Sequence, residues 1–392
     1  MIKRWWKLRS TRKFFSNRMA VVALLIVAVY LAIAMGTSLF GVIDLNDTFA
    51  RVGPKNVSGF FQEQEPEKQV EDCEYLLNRV DRALGRQDPA QALAEIKLGA
   101  MHLKDLPPAE MKTLLDQAWS TYDRLMESDD LNASPSARNE IDQLQRETDL
   151  LFVPLVGTQL WKYRFDLLLG TDAQGRSISL RSLYSIEVAI KIGLVVAFFS
   201  VLIGALLGTA AGFYGGWVDH LVTWIFTTFS SIPSLVLLVL LAYMFTGSIF
   251  EGTLVPMYIA FSATYWIGPC RVIRGETLKL RELEYVQAAT ALGYSRPYIM
   301  VRHILPNASH LMLINFSLLF IAAIKGEVIL TYLGLGIKNG TSWGIMIEQS
   351  RPEVINGFFW QIGSATVLMF GLVLAFNVLS DALQDAFDPK HV

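Results

Sequence analysis

The stretch IGLVVAFFSVLIGALLGTAAGFYGGWV, residues 192–218, contains no charged side chain. A bilayer hydrocarbon core about 30 Å thick is crossed by roughly 20 apolar residues of helix, so this run is long enough to span. Working outward, uncharged runs recur at 19–43, 221–250, 252–270 and 355–380. A further run, 310–335, is interrupted by Lys325 and Glu327. The expectation is an all-α, polytopic membrane protein with six transmembrane helices. Pro233 falls inside the 221–250 run and predicts a kink, because proline removes a helical donor and crowds the preceding turn. The bulk numbers agree, with 52% hydrophobic and 18% charged residues in a chain of 392. Ordinary soluble domains carry about a quarter charged. A net charge of −2 provides no general attraction for nucleic acid.

Lysine and arginine collect on the cytoplasmic flanks of spanning helices. Lys3, Arg4, Lys7, Arg9, Arg12, Lys13 and Arg18 precede the first run, while Arg271, Arg274, Lys279, Arg281, Arg296 and Arg302 occupy 271–303. One six-span topology puts both clusters on the same, cytoplasmic side and both chain ends with them. The first run exceeds the 7–15 residue core of a secretory leader. It is read as a span, although Ala32-Ile33-Ala34 resembles a cleavage site. The domain expectation is a cytoplasmic tail over 1–18 and a first transmembrane helix over 19–43. An extracytoplasmic, mainly helical insert follows over 44–183. A core over 184–392 carries the other five spans and a cytoplasmic loop at 271–306.

The insert is acidic, with 12 Lys/Arg against 22 Asp/Glu between 41 and 160. Val70, Cys73, Leu77, Val80 and Leu84 form one helical stripe, and Met111, Leu114, Leu115, Ala118, Tyr122 and Leu125 another. Pro89, Pro107-Pro108 and Ser134-Pro135 mark helix starts. Three or four amphipathic helices packed as hairpins are expected. They serve either as a cap or spacer or as a docking surface for a partner. His102 stands alone there and reads as a surface residue, not a ligand. Cys73 and Cys270 fall in dissimilar surroundings, so no disulfide joins them in this reading. No metal or redox spacing is present, and no metal or cofactor is expected.

The loop at 271–306 contains Glu284-Tyr285-Val286-Gln287-Ala288-Ala289-Thr290-Ala291-Leu292-Gly293, with His303-Ile304-Leu305-Pro306 following nine residues later. Small residues let a partner approach the helix backbone closely. Gly293 supplies a turn that a Cβ would strain, and Pro306 suits the start of the next helix. On physical grounds alone, the segment is equally a simple re-entry loop. Its spacing resembles the EAA loop of ATP-binding-cassette (ABC) importer permeases, in which Glu-Ala-Ala-x3-Gly precedes a run ending in Leu-Pro. The family's Glu is Gln287 in this chain.

The resemblance continues in order along the chain. Phe14-Phe15-Ser16-Asn17-Arg18-Met19-Ala20, Leu169-Gly170-Thr171-Asp172-Ala173-Gln174-Gly175-Arg176 and the 208–219 segment look like the C-type permeases of oligopeptide and dipeptide importers. So do Arg274-Gly275-Glu276, Tyr332-Leu333-Gly334-Leu335-Gly336-Ile337 with Ser342-Trp343-Gly344, and the 381–389 segment ending in Asp388-Pro389. Most of the insert lies outside the likeness. Trp224 and Thr227 depart from the usual pattern of the third helix, as does the segment from Arg176 to Lys191. The resemblance implies a permease subunit in a bacterial inner membrane that passes short peptides or similar small solutes by alternating access. It also implies ABC ATPase subunits, a second permease subunit and an extracytoplasmic solute-binding protein as partners. Glu284, Gln287, Ala288, Ala289, Gly293 and Pro306 are its expected ATPase-coupling residues.

Gly204, Gly208 and Gly212 recur every four residues, a small-residue stripe for close helix packing in lipid. It serves packing within this chain or contact with a second permease. Charges inside a span usually face protein or water. Lys325 and Glu327 therefore mark either the outer interface or, for Glu327, the pathway or its gate. No G-x-x-x-x-G-K-[ST] phosphate loop occurs, so ATP hydrolysis falls to a separate subunit, and no nucleophile–base constellation points to an enzyme. The alternative reading is a membrane-anchored scaffold or receptor whose helical insert binds a partner. An anchor has no need of the Gln-Ala-Ala-x3-Gly helix.

Overall fold

The computed structural model describes residues 15–59, 65–94, 101–127, 135–338 and 340–387. The basic side chains from Lys3 to Lys13, together with Phe14, Ser134, Asp388 and Pro389, lie outside that set. Local chemistry places the helix ends. Asn17 opens α1 (Arg18–Phe40) by accepting from the Met19 and Ala20 amides, and Gly41 closes it at φ +58°, the left-handed cap that glycine favours. Proline takes the first helical position in α2 (Pro66–Leu84) and α3 (Pro108–Met126), where no amide partner is lost. It also begins α4 (Pro135–Asp149). Next come α5 (Thr158–Asp166) and the long α6 (Ile178–Tyr214).

The chain forms two compact units. One comprises Val42–Tyr184 and Gln349–Thr366. By sequence pattern the insert is one continuous stretch, 44–183, and 349–366 goes with the spans. Here Arg181 and Ser182 bond to Gln349, Gln361 and Ser364 of that later segment. In this unit α2, α3 and α4 pack on one another around Val70, Cys73, Leu77, Val80, Met111, Leu115, Ala118, Leu125, Ile141 and Leu144. The stripes of α2 and α3 are the buried faces of their helices, with polar residues outside. Leu84, Leu114 and Tyr122 pack only partly against this core.

The other unit takes in the chain up to Gly41, Ser185–Glu348 and the chain from Val367. It contains α7 (Gly216–Ser230), α8 (Ser234–Tyr243), α9 (Val255–Tyr265), α10 (Ile267–Leu280), α11 (Glu284–Ala291), α12 (Leu305–Leu330) and most of α13 (Trp360–Phe387). Phe320 of α12 stacks on Phe376 of α13 at 3.8 Å. The Tyr30 hydroxyl of α1 donates to the Leu368 carbonyl at 2.8 Å. Outward-facing side chains on α1 and α13, among them Leu25, Val29, Val367 and Phe370, are large, apolar and exposed, as a lipid-facing surface requires.

The protein is therefore an all-α, polytopic membrane protein. Among the described residues four helices are long and apolar enough to span: α1, α6, the continuous Arg296–Leu335 and α13. The run expected over 221–250 is corrected from a kinked helix to a broken one. Helices α7 and α8 meet at 89°, because Pro233 lacks a donor and excludes Ile232 from helical backbone. Counting that pair as one span makes five. The run expected over 252–270 is built as α9 and α10, of 11 and 14 residues.

Candidate functional site

Helix α11 is held by two side chains and shows the rest of its surface. Val286 and Ala289, one turn apart, are buried with Ile299 and against Phe213. Glu284, Tyr285, Gln287, Ala288 and Ala291 are exposed, and Leu292 is 77% exposed. Gly293 ends the helix at φ +79°, and the Tyr294 amide returns to the Ala289 carbonyl at 3.2 Å. That left-handed position suits glycine alone without strain. Beyond it, the Tyr294 and Tyr298 rings stack at 5.0 Å. Asn307 Nδ2 donates to the Tyr285 hydroxyl at 3.0 Å. Pro306 sits exposed in the first turn of α12, after a widened turn at Met300–Ile304. Its missing amide and its ring disrupt the bond back to Arg302. Gln287 does not reach outward: its Nε2 donates to the Glu282 carbonyl at 3.1 Å.

Arginines tie this region to the neighbouring helices. Arg274 of α10 pairs with both Asp219 oxygens of α7, at 2.5 and 2.6 Å. Arg281 donates to the Gly212 carbonyl at 3.0 Å, and Arg271 to the Ser230 hydroxyl at 2.7 Å. In the sequence these arginines mark topology, and Arg274 belongs to a family-like segment, but their helix partners are not announced. A usable signal was Asp219, a lone carboxylate between two uncharged runs with an arginine cluster to follow.

The glycine stripe lies against α10. A Cβ on Gly204 would meet Pro269 and the Trp266 carbonyl at 2.7 Å, and one on Gly208 the Cys270 carbonyl at 2.5 Å. One on Gly212 would meet Thr277 at 2.7 Å. Of the two uses read from sequence, the stripe is occupied within this chain.

Glu327 is 3% exposed. Its Oε1 accepts from Thr331 at 2.9 Å and Ser342 at 2.7 Å. It therefore faces packed protein and fixes the segment that follows α12, including the fully buried Trp343. Lys325, two residues earlier, is exposed.

A second buried polar cluster escaped sequence reading. Arg181 is fully buried and donates to Asp172 Oδ2 at 2.5 Å, to Gln349 at 2.7 Å and to Gln361 at 3.2 Å. Arg176 shares the Asp172 carboxylate and Gln349. The Ala173 amide donates to Glu353 at 2.7 Å, whose carboxyl is nevertheless pushed up by burial. A bidentate arginine suits such a node because its fork fits several oxygens at once. An arginine in the first turn of an apolar helix was the available signal. Among the described residues no group of His, Cys, Asp and Glu could hold a metal ion.

The family described as "Binding-protein-dependent transport system inner membrane component" matches residues 200–391. The dipeptide transport system permease protein DppC of Bacillus subtilis is 33% identical over 226 residues, 57% of this chain and 69% of that protein. The oligopeptide transport system permease protein OppC of the same organism is 35% identical, covering 57% of this chain and 72% of the relative. OppC of Haemophilus influenzae is 34% identical, covering 56% and 70%. The chain belongs to the binding-protein-dependent transport permease family. In this permease the family match takes in α11, Gly293, Pro306, the whole glycine stripe and Glu327. The relatives are named as transport permeases, not as enzymes.

Proposed function

We propose that this chain is the membrane subunit of an ABC importer for short peptides, working with a second permease, two ATPase subunits and an extracytoplasmic solute-binding protein. The observation that carries the reading is α11: a short helix pinned by Val286 and Ala289, with Ala288 and Leu292 left open to a partner. The names of the relatives supply the peptide cargo. In this reading α11, Gly293 and the turn to Pro306 form the coupling element that an ATPase grips from the cytoplasm. The segment before α1 and the end of α13 lie on that side, and the 44–183 insert lies outside. Glu284 opens the helix, and Gln287 supports its first turn in place of the charge found elsewhere in the family. Closure of the ATPases moves α11, and through Arg274 and Arg281 the motion reaches α7 and α6. Glu327 serves the outer gate as the anchor of 331–344.

Co-purification with the ATPase subunit tests the assignment. Ala288→Arg adds bulk and charge at an exposed position, where a surface substitution is expected to leave the fold intact. The retained ATPase is expected to drop at least tenfold, a loss of about 1.4 kcal/mol or more of binding. Gly293→Asp, which forces a side chain into left-handed backbone, is expected to do the same. If Ala288→Arg holds the ATPase as firmly as the wild type, α11 is not the coupling element.

A further inference from the structure

Lys325 is a cation without an ion-pair partner among the described residues. It lies about 30 Å along the helix from Leu305, near the end of α12. The adjacent carboxylate does not neutralise it. Glu327 is buried, and the oxygen described above is taken by Thr331 and Ser342. Residues two apart on a helix do not face one another.

The lysine lines a cavity of about 480 Å³ with Ser234, Leu238, Tyr265, Ile321 and Asn377. Four helices contribute: α8, α9, α12 and α13. Lys325 is the one charged residue of the lining, alongside a hydroxyl, a phenol and an amide in otherwise apolar walls. That volume lies in the range of small-molecule sites, where a few polar groups fix orientation within apolar surroundings. An ammonium inside an apolar span is costly, and such residues mark pathways when they face a cavity. Lysine offers donors only, so the occupant must bring an acceptor, and the unpaired positive charge favours one that is an anion.

We infer that Lys325 binds the terminal carboxylate of the peptide in transit, with Ser234, Tyr265 and Asn377 available to its amide groups. The inference rests on the peptide-importer reading above. A carboxylate fits because it is the one negative charge that every unmodified short peptide carries, whatever its sequence.

The test uses the complete importer in proteoliposomes, fed an uncharged-side-chain tripeptide as the free acid or as the C-terminal amide. Both are supplied at concentrations that saturate the binding protein. The wild type is expected to take up the free acid roughly tenfold faster, as a charge-assisted bond to the cargo implies. Lys325→Gln brings the acid-to-amide ratio close to one, and Lys325→Arg retains the preference. A Lys325→Gln importer with the wild-type ratio overturns the inference. So does one that loses both peptides in equal proportion, or sheds the second permease on purification, since the cation then pairs with protein. If the wild type takes up neither peptide yet still couples ATP hydrolysis to another solute, the peptide reading itself fails and this inference with it.

Discussion

Asp166 closes α5 with its Oδ1 buried and unpartnered among the described residues. It also stands where the helix dipole disfavours negative charge. Burial raises its pKa to about 6, opposed by Lys162 and reinforced by Asp47. Because the folded pKa is raised, the folded state binds the proton more tightly. The associated stability is complete below the usual carboxylate value and is lost as pH rises through about 6. Asp166→Asn is therefore expected to raise the thermal midpoint at pH 8 and leave it unchanged near pH 4. The gain at pH 8 is on the order of 2 kcal/mol. Equal shifts at both pH values would show that the carboxylate's charge is not the cause. Arg181 presents the opposite case, a buried charge whose guanidinium meets Asp172, Gln349 and Gln361 at once.

Between elements, α6 packs closely on α10 through backbone. Gly208 allows the approach: its Cβ would stand 2.5 Å from the Cys270 carbonyl and 3.1 Å from the Arg274 nitrogen. Those are backbone atoms and cannot rotate aside. Gly208→Ala is expected to destabilise the solubilised protein by roughly 1–3 kcal/mol, the usual cost of overpacking. Gly268→Ala on α10 is the matched control, since nothing lies within 4 Å of its Cβ position. Replacing a helical glycine there is expected to be neutral or stabilising by up to about 1 kcal/mol. Thermal midpoints in detergent separate the two, and equal effects would mean that contact between α6 and α10 does not set the difference.

At the scale of the molecule, the proposed orientation makes opposite predictions for two exposed sites. Cys73 and Cys270 are both buried free thiols, so introduced cysteines can be read against a silent background. Leu292→Cys, at a position 77% exposed, is expected to react with a membrane-impermeant maleimide only in inside-out vesicles. Trp161→Cys, at a position 72% exposed, is expected to react only in right-side-out vesicles. Labelling of Leu292→Cys from the outside would remove the cytoplasmic coupling element, and with it the transport mechanism.

Sequence alone was enough for the membrane character, the helical class, the stripes of α2 and α3 and the small-residue helix at 284–293. Each follows from local pattern: uncharged length, 3.6-residue periodicity, or a glycine where backbone must turn left-handed. Contacts between distant residues carried no such signature. Glu327 reads from sequence as a charge either at the outer interface or at the pathway or its gate; that its oxygen is engaged by a serine fifteen positions away has no local pattern to announce it. Arg181 meets Asp172 nearby, but the partners that bury it also lie at 349 and 361, beyond any local pattern. Pro233 announced a disturbance, but not an angle of 89°, since a proline ends the helix before it without fixing the direction of the next. Periodicity reports which face of a helix is apolar; which neighbour covers that face depends on chain path and close packing, and these exist only once the helices have assembled.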